Sequence, residues 1–374
     1  MKRFLFLAAA ASMIFAACSK TEVNPIGGPQ EISVMAVNKV ATKAPVNTAL
    51  YPEDYNMKLA AYLTYGSSDG NMHDYFDGTD FSFKSTSKTW TGAKYWPLTS
   101  STLNFLAVTT PATAGDYTGK VTSVTFGESS AAFASKAVVV FDGNQTTATE
   151  FNQFDLMYAA GLQSNTITAG GLSTYNNVGL VFAHAQSWIN FQVYTNTNSA
   201  KITVNSIILS GASYGGTLTL TNAKYNDNTA SATTDVTPKW DPIATVVNDV
   251  YVPNGGADAD SDSNGFADKN TSANAKAAAV TLTTTAQPFG NGLLVIPSTT
   301  YTPTFTINYT VDQDGDPATT NDINTFEYTY EFGTTTWAMA TKYTYNVKIN
   351  LTEIEVTPSV TPWTAPAATE VPLG

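Results

Sequence analysis

Apolar and polar residues alternate along most of the chain, and runs rich in Val, Ile, Thr, Tyr and Phe recur between clusters of Gly, Asn, Asp and Ser. Almost no stretch places apolar residues at helical spacing over several turns. Alternation with a period of two is typical of half-buried antiparallel strands, whose successive side chains point to opposite faces. The pattern predicts an all-β chain, with clear strands at residues 103–108, 202–209, 304–309 and 343–349.

The regular spacing of these strands favours β-sandwiches, and the chain is long enough for two of them. We place an N-terminal sandwich at residues 44–186 and a C-terminal sandwich with a tail at residues 187–374. Residues 222–279 carry long runs of Thr, Asn, Asp and Ala, and we expect them to include an extended surface excursion of the second sandwich.

The N-terminus has the features of a signal peptide at residues 1–17. Lys2 and Arg3 precede an apolar stretch that is too short to span a bilayer. Small residues then stand directly before Cys18, as a peptidase that cleaves in front of a lipidated cysteine requires, although Phe15 replaces the usual Leu. We therefore expect a lipoprotein anchored through Cys18. The alternative is an ordinary cleaved signal followed by an unrelated cysteine.

Residues 18–43 form a leader in which a polar stretch with Pro and Gly precedes one strand-like run at residues 31–37. Within this run Ile32, Val34 and Ala36 are expected to project to one face, and Ser33, Met35 and Val37 to the other. Such a strand could complete the edge of a sheet and cover apolar surface.

Charge and cysteine content narrow the function classes. Cys18 is the only cysteine, so the chain cannot form an internal disulfide and depends on packing and hydrogen bonding. The net charge of −12 becomes about −14 once Lys2 and Arg3 are removed with the signal peptide. An acidic balance of this size argues against nucleic acid or anionic lipid as a partner of the protein surface.

Aromatic and apolar landmarks along the chain resemble the fimbrillin family, the type V pilus subunits of Bacteroidales. No single landmark is specific, and the resemblance lies in their order over nearly the whole chain. The landmarks are Thr42–Ala44, Leu59–Tyr62, Trp90, Tyr95–Pro97, Leu103–Ala107, Phe154–Ala159, Val178–Ala185, Trp188–Phe191, Ile207–Leu209, Gly215–Leu218, Leu294–Pro297, Trp337, Tyr343–Tyr345, Ile354–Val356 and Trp363. Considered one at a time, six aromatic residues of these landmarks are expected to be core residues. They are Trp96, Phe105, Phe182, Phe191, Tyr343 and Tyr345.

The resemblance implies two transthyretin-like sandwiches and a structural pilin that is exported as a lipoprotein to the outer membrane. It also implies assembly with other pilin subunits into a surface fimbrium that mediates adhesion to a host or bacterial ligand. In this family the leader strand fills a groove of the first domain until a protease removes it and a strand of another subunit replaces it.

The position that matches the family's processing site is the bond between Lys43 and Ala44. Arg3 is the only arginine in the chain, so an arginine-specific protease could not act there. The alternatives are cleavage by a lysine-accepting enzyme at Lys43 or Lys39, and a leader that stays attached. Residues 352–374 are the family's natural donor strand, although their four prolines would interrupt a ladder paired on both sides.

One segment has the spacing of a calcium loop. Asp260, Asp262, Asn264 and Asp268 follow the D-x-D-x-N-G-x-x-D order in which oxygen ligands converge on a hard cation, whereas Thr271 stands where a full loop has Glu. The alternatives are calcium binding and an ordinary acidic surface loop. A second acidic stretch, at residues 312–316, is predicted to be the turn of a hairpin between strands that contain Tyr309 and Phe326.

The sequence contains few residues and motifs that are typical of a catalytic site. His73 and His184 are the only histidines, and neither a phosphate-binding glycine loop nor a nucleophile elbow is present. His184 is expected to be a hydrogen-bonded core or interdomain residue. We expect no enzyme and no required cofactor. The alternative to a pilin is a monomeric surface lipoprotein that binds glycans or host ligands. The third possibility is an enzyme, such as a glycosidase that acts through two carboxylates.

Overall fold

The structure is a computed structural model of the full chain. It describes residues 22–24, 30–38, 51, 55–64, 73–112, 119–129, 134–143, 153–167, 173–175, 177–222, 236–243, 249–253, 277–315, 322–351 and 353–362. All regular secondary structure within these residues is β-strand, which confirms the all-β prediction. None of the described residues forms a helix long and apolar enough to cross a bilayer.

In chain order, the described strands lie first before residue 186 and then after it. In the first half they are β1 (Glu22–Asn24), β2 (Glu31–Asn38), β3 (Tyr55–Thr64), β4 (His73–Lys84), β5 (Thr89–Tyr95), β6 (Ser101–Pro111), β7 (Val121–Ser129), β8 (Ala134–Asp142), β9 (Met157–Ile167), β10 (Ser173–Tyr175) and β11 (Val178–His184). In the second half they are β12 (Ser187–Tyr194), β13 (Lys201–Ser210), β14 (Gly215–Asn222), β15 (Val236–Pro242), β16 (Val250–Tyr251), β17 (Val280–Thr281), β18 (Gln287–Pro288), β19 (Leu293–Val295), β20 (Ser298–Tyr301), β21 (Thr304–Asp312), β22 (Ile323–Glu331), β23 (Thr335–Trp337), β24 (Thr341–Ile349) and β25 (Ile354–Pro362).

The first core lies inside a ring of strands. The strand order is β1-β10-β9-β11-β2-β5-β4-β3-β6, and β6 pairs with β9 as well as with β3, so the seven strands from β9 to β6 close on themselves. Apolar residues from every strand of this ring are buried together in one cluster. Closure removes the free edges that an open sheet would present to other chains.

A second, four-stranded sheet with the order β15-β14-β8-β7 packs on the same core. Leu218 and Leu220 of β14 are fully buried there with Val139 and Phe141 of β8. β14 and β15 follow β11 in the chain, so the predicted division between residues 186 and 187 does not apply to these two strands. We call β1–β11 with β14 and β15 the N-terminal unit, and the remaining strands the C-terminal unit.

The C-terminal unit is a sandwich of two sheets. One has the order β18-β12-β24-β25 and the other β16-β13-β21-β22. Phe191 of β12 and Phe305 of β21 meet across the core with their ring centroids 5.1 Å apart, and Tyr345 of β24 lies next to both. The six aromatics expected in the cores, from Trp96 to Tyr345, are all buried.

Within its described residues, the low-complexity stretch at residues 222–279 contains two strands that were not predicted, β15 and the short β16. β15 pairs along its whole length with β14, from Gly216 opposite Pro242 to Asn222 opposite Val236. β15 lies at the edge of the described sheet, so it has a ladder partner on one side only. Prolines are tolerated in such a strand where the missing N–H would face solvent. Trp240 packs against the first core, and its indole nitrogen donates to the carbonyl of Ala185 at 2.6 Å.

Candidate functional site: the place of the leader strand

β2, the leader strand, occupies an inner position in the ring between β5 and β11. It pairs antiparallel with β5, with Glu31 opposite Tyr95 and Val34 opposite Trp90. It pairs parallel with β11, from Val34 opposite Val178 to Asn38 opposite Phe182. The first half of the leader strand is therefore held mainly by β5, and the second half by β11.

The side chains of the leader strand divide between the two faces as the sequence predicts. Ile32 and Val34 are fully buried and Ala36 is 6% exposed, whereas Ser33 and Met35 are only partly buried. Burying one Ile or Val side chain contributes about 1.5 to 3 kcal/mol relative to leaving it exposed. The leader strand thus supplies a wall of the first core, and its absence would expose the residues beneath it.

Aromatic side chains form the floor beneath the leader strand. Trp90 and Phe182 lie on the two flanking strands, and the ring of Tyr51 contacts both, with centroid separations of 4.9 Å and 4.5 Å. The hydroxyl of Tyr51 donates to the carbonyl of Asn56, and the indole nitrogen of Trp90 donates to that of Tyr55. Sequence reasoning missed Tyr51 as part of this groove, because it lies outside any strand and only its apolar character marked it.

A buried hydrogen-bonded pair lies at the end of β11, next to the junction of the two units. Nδ1 of His184 is 2.9 Å and 3.1 Å from the two carboxylate oxygens of Asp155. Both side chains are at most 1% exposed. Since a carboxylate only accepts, Nδ1 is the donor. The prediction that His184 is a hydrogen-bonded core or interdomain residue is confirmed.

The same segment joins the two units by hydrogen bonds. The side chain of Gln153 donates to the carbonyl of Gly292 at 3.0 Å and accepts from the amide of Leu294 at 2.7 Å. Gln186 accepts through its side chain from the amide of Leu156 and through its carbonyl from the amide of Ala340. The pair formed by His184 and Asp155 therefore lies where the groove strand β11 meets the C-terminal unit.

Replacing His184 with Ala is expected to lower the free energy of unfolding by about 3 to 5 kcal/mol, because it leaves a buried carboxylate without its partner. Urea unfolding of a soluble Cys18→Ser protein measures the loss. The double substitution Asp155→Asn with His184→Ala is the control and should cost less than His184→Ala alone, because it removes the stranded charge. An equal or larger loss in the double variant would show that Asp155 does not depend on the hydrogen bond from His184.

Several predicted site residues lie outside the described residues. They are Cys18, Lys43 and Ala44, together with the calcium-loop residues Asp260, Asp262, Asn264 and Asp268. Lipidation, processing and calcium binding at these positions therefore remain predictions.

Residues 312–315 of the second acidic stretch are described, and they lie at the end of β21 in the predicted hairpin. β21 and β22 form a hairpin in which Tyr309 stands opposite Phe326. Next to the turn, the amide of Gly315 donates to the carboxylate of Asp312 at 2.8 Å, and the amide of Asp314 donates to that of Asp322 at 3.2 Å. One carboxylate oxygen from each of Asp312, Asp314 and Asp322 lies within 4.8 Å of the others, and backbone amides donate to those of Asp312 and Asp322.

The C-terminal strand β25 lies at an edge of the C-terminal unit. It pairs with β24 from Ile349 opposite Ile354 to Thr341 opposite Pro362. Ile354 and Val356 are partly buried against the second core, whereas Val360 is 59% exposed. Apolar and polar residues thus alternate along β25. Among the described strands, β25 pairs with β24 alone.

A family model described as fimbrillin-like matches residues 28–363. The chain is similar in structure to a fimbrial protein from Bacteroides vulgatus, with a TM-score of 0.51, 16% identity and coverage of 89% of this chain and 99% of that one. A putative cell adhesion protein from Bacteroides ovatus gives a TM-score of 0.47 at 11% identity, covering 91% of this chain and 100% of that one. The fimbrial anchor protein Mfa2 from Porphyromonas gingivalis gives 0.32 at 10% identity, covering 90% and 98%.

No curated protein matches the chain significantly. The Bacteroides vulgatus structure supports the fold alone, since its identity is low. The family model spans most of the chain, including the leader strand, the groove strands and β25. The chain belongs to the fimbrillin-like family.

Proposed function

We propose that the chain is a structural pilin, exported as a lipoprotein and assembled by strand exchange into a surface fimbrium that mediates adhesion. Residues 1–17 act as the signal peptide, Cys18 carries the lipid, and residues 18–43 are removed before assembly. The observation that carries the proposal is the inner position of the leader strand, between β5 and β11.

A removable strand in that position couples processing to assembly. Loss of the leader strand would open the ring between β5 and β11 and expose the aromatic floor of Tyr51, Trp90 and Phe182. An exposed apolar groove lined by two strand edges binds an extended segment through main-chain hydrogen bonds and through pockets for alternate side chains. The leader would therefore keep the precursor monomeric until it is cleaved.

The C-terminal strand has the side-chain pattern that the vacated groove requires. Glu31, Ile32 and Val34 of the leader correspond in spacing to Glu353, Ile354 and Val356. In the same alignment, Pro358 corresponds to Ala36. We therefore favour residues 353–360 of a neighbouring subunit as the replacement strand.

Proline at this place is compatible with the pairing of the groove. The described pairing of the leader with β5 ends at Val34, whereas its pairing with β11 continues to Asn38. A residue at the position of Ala36 thus has a ladder partner on one side only, and a proline is tolerated there when its nitrogen faces the open side, as in an edge strand. The prolines of the tail then limit the length of insertion without preventing it.

Cleavage at Lys43 is expected to convert monomer into polymer. Limited trypsin treatment of the Cys18→Ser protein should yield ladders that resist SDS, because each replacement strand buries apolar side chains and forms a main-chain ladder. Gel electrophoresis and mass determination of the new N-terminus provide the readout. Lys43→Gln should abolish the ladders, and Lys39→Gln is the matched control that should leave them.

Cleavage at Lys43 without any polymer would contradict assembly by strand exchange. It would favour the alternative of a monomeric surface lipoprotein that binds glycans or host ligands, for which ligand-dependent shifts in melting temperature are the positive test. Polymer formation in Lys43→Gln but not in Lys39→Gln would move the processing site to Lys39.

A further inference from the structure

The leader makes a second contact with the N-terminal unit, through β1. Glu22–Asn24 pairs antiparallel with Ser173–Tyr175 of β10, which in turn pairs with the last residues of β9. Three residues separate Cys18 from Glu22. At about 3.5 Å per residue, this step spans at most about 14 Å. A lipid on Cys18 would therefore hold β10 close to the bilayer.

β9 separates this contact from the C-terminal unit. β10 pairs with Thr166 and Ile167 at one end of β9, whereas Met157 at the other end pairs with His184, directly before the junction. With a rise of about 3.3 Å per residue, the two ends lie about 33 Å apart. The anchored end and the C-terminal unit are thus at opposite ends of the N-terminal unit.

Two segments near the end of β9 that pairs with β10 carry no charged side chain. Residues 96–102 and 164–166 consist of Trp, Pro, Leu, Thr, Ser and Asn in a chain with 30 acidic residues. Leu98 is 74% exposed in this surface. The side chain of Asn165 fixes the loop around Leu98 to β9. Its Nδ2 donates to the carbonyls of Pro97 and Thr99, and its Oδ1 accepts from the backbone N–H of Ser101 at 2.8 Å.

We propose that, before processing, the surface formed by residues 97–102 and 164–166 lies against the membrane lipid, with the C-terminal unit pointing away from it. This orientation rests on the proposed lipidation of Cys18. The short tether brings the surface to the bilayer, the lack of carboxylates avoids repulsion by anionic headgroups, and Leu98 enters the interface. The described C-terminal strand β25, in the opposite unit, then faces the incoming subunits.

Photo-crosslinking in vesicles tests the orientation independently of lipidation in cells. Residues 18–374 are coupled through Cys18, the only cysteine, to a maleimide phospholipid in phosphatidylethanolamine and phosphatidylglycerol vesicles. Benzoylphenylalanine replaces either Leu98 or Leu351, which is 52% exposed at the far end of the C-terminal unit. The probe at position 98 should crosslink lipid several-fold more than the probe at position 351.

A Val23→Pro variant tests whether the pairing of β1 with β10 sets the orientation. Proline disturbs this short ladder without touching the ring, so the circular dichroism spectrum should stay unchanged while the difference between the two probes decreases. Equal crosslinking at positions 98 and 351 in the parent protein, or stronger crosslinking at 351, would overturn the orientation. Lipidation in cells is measured separately, from the mass of protein extracted from membranes, so its failure is distinguishable.

Discussion

Replacing Val34 with Asp lowers the free energy of unfolding of the N-terminal unit by about 4 kcal/mol or more, since it buries an unpaired carboxylate in the wall of the core. Val34 is fully buried and faces the aromatic floor between β5 and β11. Urea unfolding of the Cys18→Ser protein, followed by tryptophan fluorescence, measures the loss.

Met35→Asp is the matched control for this substitution. Met35 is the next residue of the same strand, lies on the opposite face and is only partly buried, so the expected loss is about 1 kcal/mol. If Val34→Asp yields no folded protein, Ile32→Ala should still fold, with a loss of about 2 to 5 kcal/mol from the cavity it leaves. Equal effects of the substitutions at positions 34 and 35 would show that the leader strand is not part of the core.

Replacing Val356 with Asp abolishes polymer formation after cleavage of the leader. The substitution places a carboxylate where the replacement strand must match the buried position of Val34, which removes several kcal/mol from each junction between subunits. The monomer should still fold, because Val356 is only partly buried in an edge strand. The yield of SDS-resistant ladders after limited trypsin treatment gives the result.

Thr357→Asp is the control for the C-terminal strand. Thr357 is exposed and projects to the opposite face of β25, so its substitution should leave the ladders in place. Ladders of normal yield from Val356→Asp would exclude residues 353–360 as the replacement strand and would direct attention to another segment of the chain.

The sequence allowed the fold class and the faces of the leader strand to be predicted, because both follow from alternation of single residues. The buried positions of Ile32, Val34 and Ala36 are a direct consequence of the two-residue period. Strand partners were not predictable in this way. That the leader pairs with β5 on one side and β11 on the other depends on contacts between residues far apart in the chain.

The membership of β14 and β15 in the first core shows the same limit. Gly215–Leu218 is one of the landmarks of the family resemblance, but nothing in the sequence pattern indicates that Leu218 and Leu220 pack with β8 across the predicted boundary. In β15, Pro238 and Pro242 concealed the strand, since prolines are compatible with a sheet only at an edge and the edge position is a property of the assembled sheet.

Amide hydrogen exchange at the walls of the groove tests most directly whether the N-terminal unit depends on a borrowed strand. A specific protease site inserted after Lys43 allows the leader to be removed from the soluble protein whether or not Lys43 is the natural site. Exchange in β5 and β11 should rise when the leader is removed and fall again when a peptide of residues 30–38 is added, but not when that peptide carries Val34→Asp. Unchanged exchange in both strands after removal of the leader would contradict the account.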